Sequence, residues 1–236
     1  MLPSILFPVA PVLIPVCRSN HQFQVRRIYC VGRNYAAHAR EMGSDPTREP
    51  PFFFQKPTDA IQVAYPGTTL DHPYPPMTGN YHHEVELVAA IGRRGRNIAV
   101  GDALDHVVGY TVGLDMTRRD LQRAMAEQKK PWEIGKAFDH SAIVGHLHPA
   151  ELVGHLASGA ITLKVNGEVR QSSDLSHMTW SVAEQVANLS QYYELFPGDI
   201  IYAGTPENVG PVVPGDFIEA HIDGLDDLRV IIVAPE

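Results

Sequence analysis

The chain has 236 residues, 44% hydrophobic, 19% charged and 8% aromatic, a composition that can bury a sizeable core and that excludes disorder, coiled coil and collagen. Nineteen Lys and Arg stand against 27 Asp and Glu, a formal charge of -8, and no dense basic run could track a phosphate backbone, so no nucleic acid partner is expected. Two cysteines, Cys17 and Cys30, cannot build the multi-bridge framework of a small secreted domain, which points to a reducing cytoplasm.

The N-terminal stretch is apolar but lacks a basic flank, and Pro3, Pro8, Pro11 and Pro15 break a signal-peptide or membrane helix. Residues 1–26 are expected as an extended leader packed on the core, and 27–236 as one domain. Gly and Pro, 19 of each, cut the chain into short segments, a sheet-rich mixed α/β pattern with few short helices. Val- and Ile-rich runs predict strands over 28–31, 85–91, 107–114, 161–165, 200–203, 217–222 and 228–233. Asn166-Gly167 predicts a tight hairpin, because both residues tolerate positive φ. Helices are expected over 35–42, 117–128 and 179–195, the last with a capping box from Ser181 and Glu184 and a stop at Pro197-Gly198. Residues 44–77, with Pro46, Pro50, Pro51, Pro57, Pro66, Pro73, Pro75 and Pro76, read as a long irregular excursion of the kind that serves as a lid or binding loop. Pro-Gly-Asp at 197–199 and at 214–216 reads as two turns that enter strands.

Glu84 and Glu86 alternate with Val85 and Leu87, so a strand projects both carboxylates from one face. Their repulsion is removed either by a hard divalent cation, for which oxygen ligands suit magnesium, manganese or calcium better than zinc, or by water on a solvated face. Asp115 ends the apolar run 107–114 and offers a third carboxylate or a helix cap. With helical geometry from Met116, Arg119 and Gln122 turn toward the same side as Asp115. His38 and Glu41, three apart on a helical turn, form either a base with its orienting acid or an exposed pair. Lys136, among apolar neighbours, either stabilises an oxyanion or snorkels from a strand. The loop 204–210 offers backbone amides and the Thr205 hydroxyl to an anion, or is only a turn. His72, His106, His146, His148 and His155 read as surface or structural.

Together these residues resemble the fumarylacetoacetate hydrolase family, in its short fumarylpyruvate or acylpyruvate hydrolase form. The similarity runs from Arg27 to the C terminus and rests on Gly32 to Met42, Phe52 to Pro57, His83 to Glu86, Gly113 to Gln122, Trp132 to Asp139 and Gly204 to Gly210. It implies a fumarylacetoacetase-like mixed β-sandwich roll, a catalytic domain over 27–236, and a homodimer. It further implies one Mg2+ or Mn2+ per chain on Glu84, Glu86 and Asp115, His38 with Glu41 as the water-activating pair, and Gln122 and Lys136 on the substrate oxygens. Asn208 stands where such proteins often have glycine, and since Asn tolerates positive φ the turn is expected to survive. The implied activity is hydrolysis of a small diketo acid, fumarylpyruvate first, in aromatic (gentisate) degradation, with its second carboxylate met by Arg33, Lys56 or Arg119, and Thr205 nearby. Oxaloacetate decarboxylases and hydroxymuconate-type isomerases or decarboxylases share the same site, and a non-catalytic carrier of a divalent ion would need the three carboxylates alone.

Overall fold

Alternation at period two sets the architecture. In the strand Val85–Ile91, Val85, Leu87, Ala89 and Ile91 enter one apolar cluster while Val88 and Ala90 enter another, and every residue of the strand is buried. A strand buried on both faces belongs in the middle of a covered sheet. The computed structural model, which describes residues 6–41 and 49–235, puts it there. The main sheet runs Phe52–Lys56, Arg27–Gly32, Asp199–Tyr202, Val85–Ile91, Val107–Asp115, Ala142–Val144 and Ile61–Val63, with His148–Pro149 also paired to Val107–Asp115. Two of its pairings are parallel, Arg27–Gly32 with Asp199–Tyr202 and Ala142–Val144 with Ile61–Val63.

A second sheet runs Glu168–Asp174, Ala160–Val165, Phe217–Ile222, Leu228–Val233 and Leu70–Pro73. Leu163, Ile218 and Val230 from it share one cluster with Tyr29, Leu87 and Val112 of the main sheet, so two sheets enclose the principal core. The opposite face of the main sheet holds the smaller cluster of Ile28, Val88, Ile200 and Tyr202, which Ile14, Val25 and Leu147 cover. A three-stranded ribbon of Thr117–Arg118, Tyr81–His83 and Gly210–Val212 stands beside them.

Local rules account for much of this. Asn166 and Gly167 take φ of 53° and 82° and join Ala160–Val165 to Glu168–Asp174, the two-residue turn that right-handed strand twist favours. Both Pro-Gly-Asp turns close the same way. Asp199 accepts from the Phe196 amide at 2.9 Å and Asp216 from the Val213 amide at 2.8 Å, each entering a strand. The helix Val182–Tyr192 opens on the capping box of Ser181 and Glu184 and lies against the short 3-10 helix Val100–His106, with Val186 and Leu189 in the core.

Three expectations change. The proline-rich stretch 44–77 is not wholly irregular: its described part holds the strands Phe52–Lys56, Ile61–Val63 and Leu70–Pro73, with prolines at their boundaries, where no ladder donor is needed. The second helix begins at Arg119, not Met116, because Thr117–Arg118 pairs with Tyr81–His83 first. The leader is a short hairpin, Leu13–Pro15 with Gln22–Gln24, and residues 1–5 lie outside the described residues. Ser181→Ala is expected to cost about 1 kcal/mol of stability, the usual value of an N-cap, read as a shift of the denaturant midpoint at unchanged slope.

Candidate active site

Strand register builds the centre. Val85 pairs with Leu114 and Glu86 with Gly113, so Glu84 falls opposite Asp115, and the Asp115 amide donates to the Glu84 carbonyl at 2.9 Å. Period two then brings Glu86 to the face that carries Glu84. One carboxylate oxygen from each of Glu84, Glu86 and Asp115 lies within 4.8 Å of the others, and all three residues are buried.

Buried like charges need opposite charge near them. Lys136, from the short helix Glu133–Lys136, bridges Glu84 Oε2 at 2.7 Å and Asp115 Oδ2 at 2.6 Å. Lys56 Nζ lies 2.8 Å from Asp115 Oδ1, and the Arg119 guanidinium is paired with Glu84 Oε1. Burial pushes the Glu84 carboxyl up, but Lys136, Arg119 and His38 outweigh it and hold it below the usual range. Burial likewise works to lower Lys136, yet Asp115 and Glu84 keep it above its ordinary value and charged.

Glu86 is treated differently. Its Oε2 accepts from the Gly204 amide at 2.7 Å, and among the described residues no cation pairs with it. Burial, then Asp115 and Glu84, push its carboxyl well above the usual range. A buried triad of oxygen donors, one of them without a paired cation among the described residues, has the chemistry of a hard divalent cation site, so the residues fit magnesium or manganese.

A narrow cleft opens on this triad. His38, Arg33, Gln122, Arg119, Lys136 and Thr205 are on its walls. His38 is buried in the helix Ala36–Glu41, whereas the side chain of Glu41, its expected partner, lies outside the described residues. Gln122 Oε1 accepts from Arg119 Nη1 at 2.5 Å, which leaves the amide NH2 as the end with donor capacity. Arg33 is exposed, at φ 57°, with its guanidinium over the Phe52 and Trp132 rings.

Two substrate-binding expectations change here. Lys56 is absent from the cleft wall; its ammonium faces Asp115 and donates to the carbonyls of Met116, at 3.2 Å, and of Lys136. Arg119 does reach the wall, but it is fully buried and its guanidinium is committed to Glu84 and Gln122. Lys136 stands on a helix and not on a strand, and Asn208 does take φ 66°.

Other contributors carried no local signal. Trp132 and Phe54 line the cleft. Gln171, fully buried, accepts from the Val85 amide and donates to Thr205 Oγ1 and the Pro206 carbonyl, tying the loop 204–210 to the carboxylate strand. Asn34 donates to the carbonyls of Ala203 and Trp180 and so seats the segment that leads to His38.

Comparison with known proteins gives a consistent picture. Residues 27–233 match the family described as fumarylacetoacetate (FAA) hydrolase C-terminal. A fumarylpyruvate hydrolase of Ralstonia sp is 41% identical over 188 residues, 80% of this chain and 95% of that protein. The mitochondrial oxaloacetate tautomerase FAHD1 of Pongo abelii is 40% identical over 211 residues, 89% of this chain and 93% of its own. Among solved structures, fumarylpyruvate hydrolase from Pseudomonas aeruginosa in complex with Mn2+ and pyruvate superimposes with TM-score 0.97 at 57% identity, covering 98% of this chain and 100% of that one.

The Glu86 environment makes stability depend on pH in a definable direction. Between the ordinary carboxylate value and the raised Glu86 value, the folded protein without metal holds a proton that the unfolded chain has released, so stability falls as pH rises through that window. Thermal unfolding in chelator is expected to show that fall and, with Mn2+ added, to lose it. A flat profile in chelator would remove Glu86 as the uncompensated member.

Proposed function

The chain belongs to the fumarylacetoacetate hydrolase family, and from that premise we propose that it is an enzyme hydrolysing the carbon–carbon bond of an acylpyruvate, fumarylpyruvate to fumarate and pyruvate above all. What carries this is one cleft holding a carboxylate triad, one member of which has no paired cation among the described residues, together with a buried imidazole and two oxyanion-type donors. Glu84, Glu86 and Asp115 would hold one Mg2+ or Mn2+ per chain, which when bound would supply Lewis-acid charge to the diketo acid and to the leaving enolate.

His38 takes the proton of an attacking water, oriented by Glu41. The hydroxide adds to the carbonyl carbon distal to the carboxylate. Lys136, kept charged by Asp115 and Glu84, donates to the resulting oxyanion together with the Gln122 amide, whose direction Arg119 fixes. The carbon–carbon bond then breaks. Its electron pair passes into the pyruvate enolate, which takes up a proton, and the acyl half departs as the free acid. An oxyanion donor of this kind lowers the barrier by about 2.7 to 4 kcal/mol. Arg33, exposed on the cleft wall, meets the second carboxylate of a fumaryl group, with Thr205 also on that wall.

We assign residues 27–236 to one catalytic unit with 1–26 as its leader. A homodimer, a cytoplasmic location and a role in aromatic (gentisate) breakdown complete the proposal; both cysteines are free, in line with a reducing compartment. No helix among the described residues is long and apolar enough to cross a membrane. Similarity to an oxaloacetate tautomerase and to the mitochondrial oxaloacetate decarboxylase of Dictyostelium discoideum favours oxaloacetate as the second substrate to examine.

His38→Ala is expected to lose about 10² to 10⁴ in turnover while binding Mg2+ as the wild type does; unchanged hydrolysis would remove His38 as the base. A protein that only carried an ion would show neither turnover nor that loss. Arg33→Ala is expected to raise KM for fumarylpyruvate and leave acetylpyruvate unaffected. Following diketone absorbance for these two and oxaloacetate, each with Mg2+, Mn2+ or chelator, ranks hydrolysis against decarboxylation directly.

A further inference from the structure

Away from the acidic cleft, a second set of ligand-type side chains meets where three distant segments cross. A parallel bridge between Val16 and Leu147 is closed by the Cys17 amide on the Leu147 carbonyl at 2.8 Å and the Leu147 amide on the Pro15 carbonyl at 2.9 Å. It fixes Cys17 beside the strand His148–Pro149. The turn between Phe217–Ile222 and Leu228–Val233 brings Asp226 to the same place. There its amide donates to His148 Nε2 at 3.1 Å and its carboxylate oxygen lies 3.3 Å from that nitrogen. Cys17 Sγ, a His148 ring nitrogen and an Asp226 carboxylate oxygen all lie within 4.8 Å of one another. None of the three lines the acidic cleft.

We propose that Cys17, His148 and Asp226 form a second metal site, for a divalent cation of the zinc class with water as the fourth ligand. The donor set decides the class. A thiolate and an imidazole suit zinc or cobalt and disfavour magnesium, which prefers oxygen and sorts to the carboxylate triad. The spacing agrees, since bonds of about 2.0 Å at a tetrahedral angle set nitrogen and oxygen ligands about 3.3 Å apart, the separation of His148 Nε2 from the Asp226 carboxylate. Binding exchanges the Asp226 amide on that lone pair for a metal–nitrogen bond. Access is open on one side, because the Asp226 side chain is 44% exposed, and this leaves room for the water. An ion held here cross-links the N-terminal arm, the main sheet and a C-terminal turn. It closes two long stretches of chain and secures the hairpin whose Ile14 packs in the smaller core cluster.

The test uses the full chain, stripped by chelator, saturated with Mg2+ to fill the all-oxygen site, and titrated with Co2+. One equivalent of cobalt is expected to bind with a thiolate-to-cobalt charge-transfer band that Zn2+ bleaches. Cys17→Ser is expected to lose the band and Cys30→Ser to keep it. Asp226→Asn, a change on a surface turn that does not threaten folding, is expected to weaken cobalt binding by more than about 100-fold, the upper end of what loss of an outer-shell partner costs. Cys17→Ser and Asp226→Asn are expected to retain Mg2+-supported turnover, and Zn2+ to raise the thermal midpoint of the wild type but not of Cys17→Ser. Absence of the band in the wild type, its survival in Cys17→Ser, or unchanged cobalt affinity in Asp226→Asn overturns the proposal.

Discussion

Carboxylates shut away from water repel one another, and the protein answers by setting opposite charge at fixed points. Lys136 spans Glu84 and Asp115, Arg119 holds Glu84, and Lys56 faces Asp115. Each cation arrives on a different element: Lys56 ends the strand Phe52–Lys56, Arg119 opens the helix Arg119–Glu127, and Lys136 ends the helix Glu133–Lys136. Removing one partner would strand a buried charge, at about 3 to 5 kcal/mol. The centre and the elements around it therefore specify one another.

Neutral polar side chains extend this constraint outward. Gln171 lies on the second sheet, yet both ends of its amide act on the catalytic side, one on the Val85 amide and the other on Thr205 and Pro206. Asn34 does the same for the approach to His38, with the Trp180 amide donating back to it at 2.8 Å. Buried amides satisfied at both ends rigidify what they join. The hairpin that turns at Asn166-Gly167 thus bears on a loop far from it in sequence.

Local patterning made much of this legible. The strands Val85–Ile91, Phe217–Ile222 and Leu228–Val233 have the bounds that their Val- and Ile-rich runs give them, and Ser181 with Glu184 reads directly as a helix start. The triad was readable because period two needs only neighbours in sequence, and only Asp115 required a second strand. What stayed hidden is non-local. Leu70–Pro73 is a strand because Leu228–Val233 pairs with it, and Thr117–Arg118 because Tyr81–His83 does. Nothing near Lys56 distinguishes a lysine that meets ligand from one that faces a carboxylate. Gln171 has no neighbour in sequence that hints at its reach.

One asymmetry in the cleft carries a lasting consequence. The carboxylate triad, Lys136 and His38 are buried in the interior, whereas Arg33 is exposed, with the Phe52 and Trp132 rings beside its guanidinium. Replacing that exposed residue disturbs no buried charge. On the role proposed for Arg33, selectivity for the acyl tail sits on a surface side chain, separate from the buried groups assigned to the chemistry, so it can change without unsettling them.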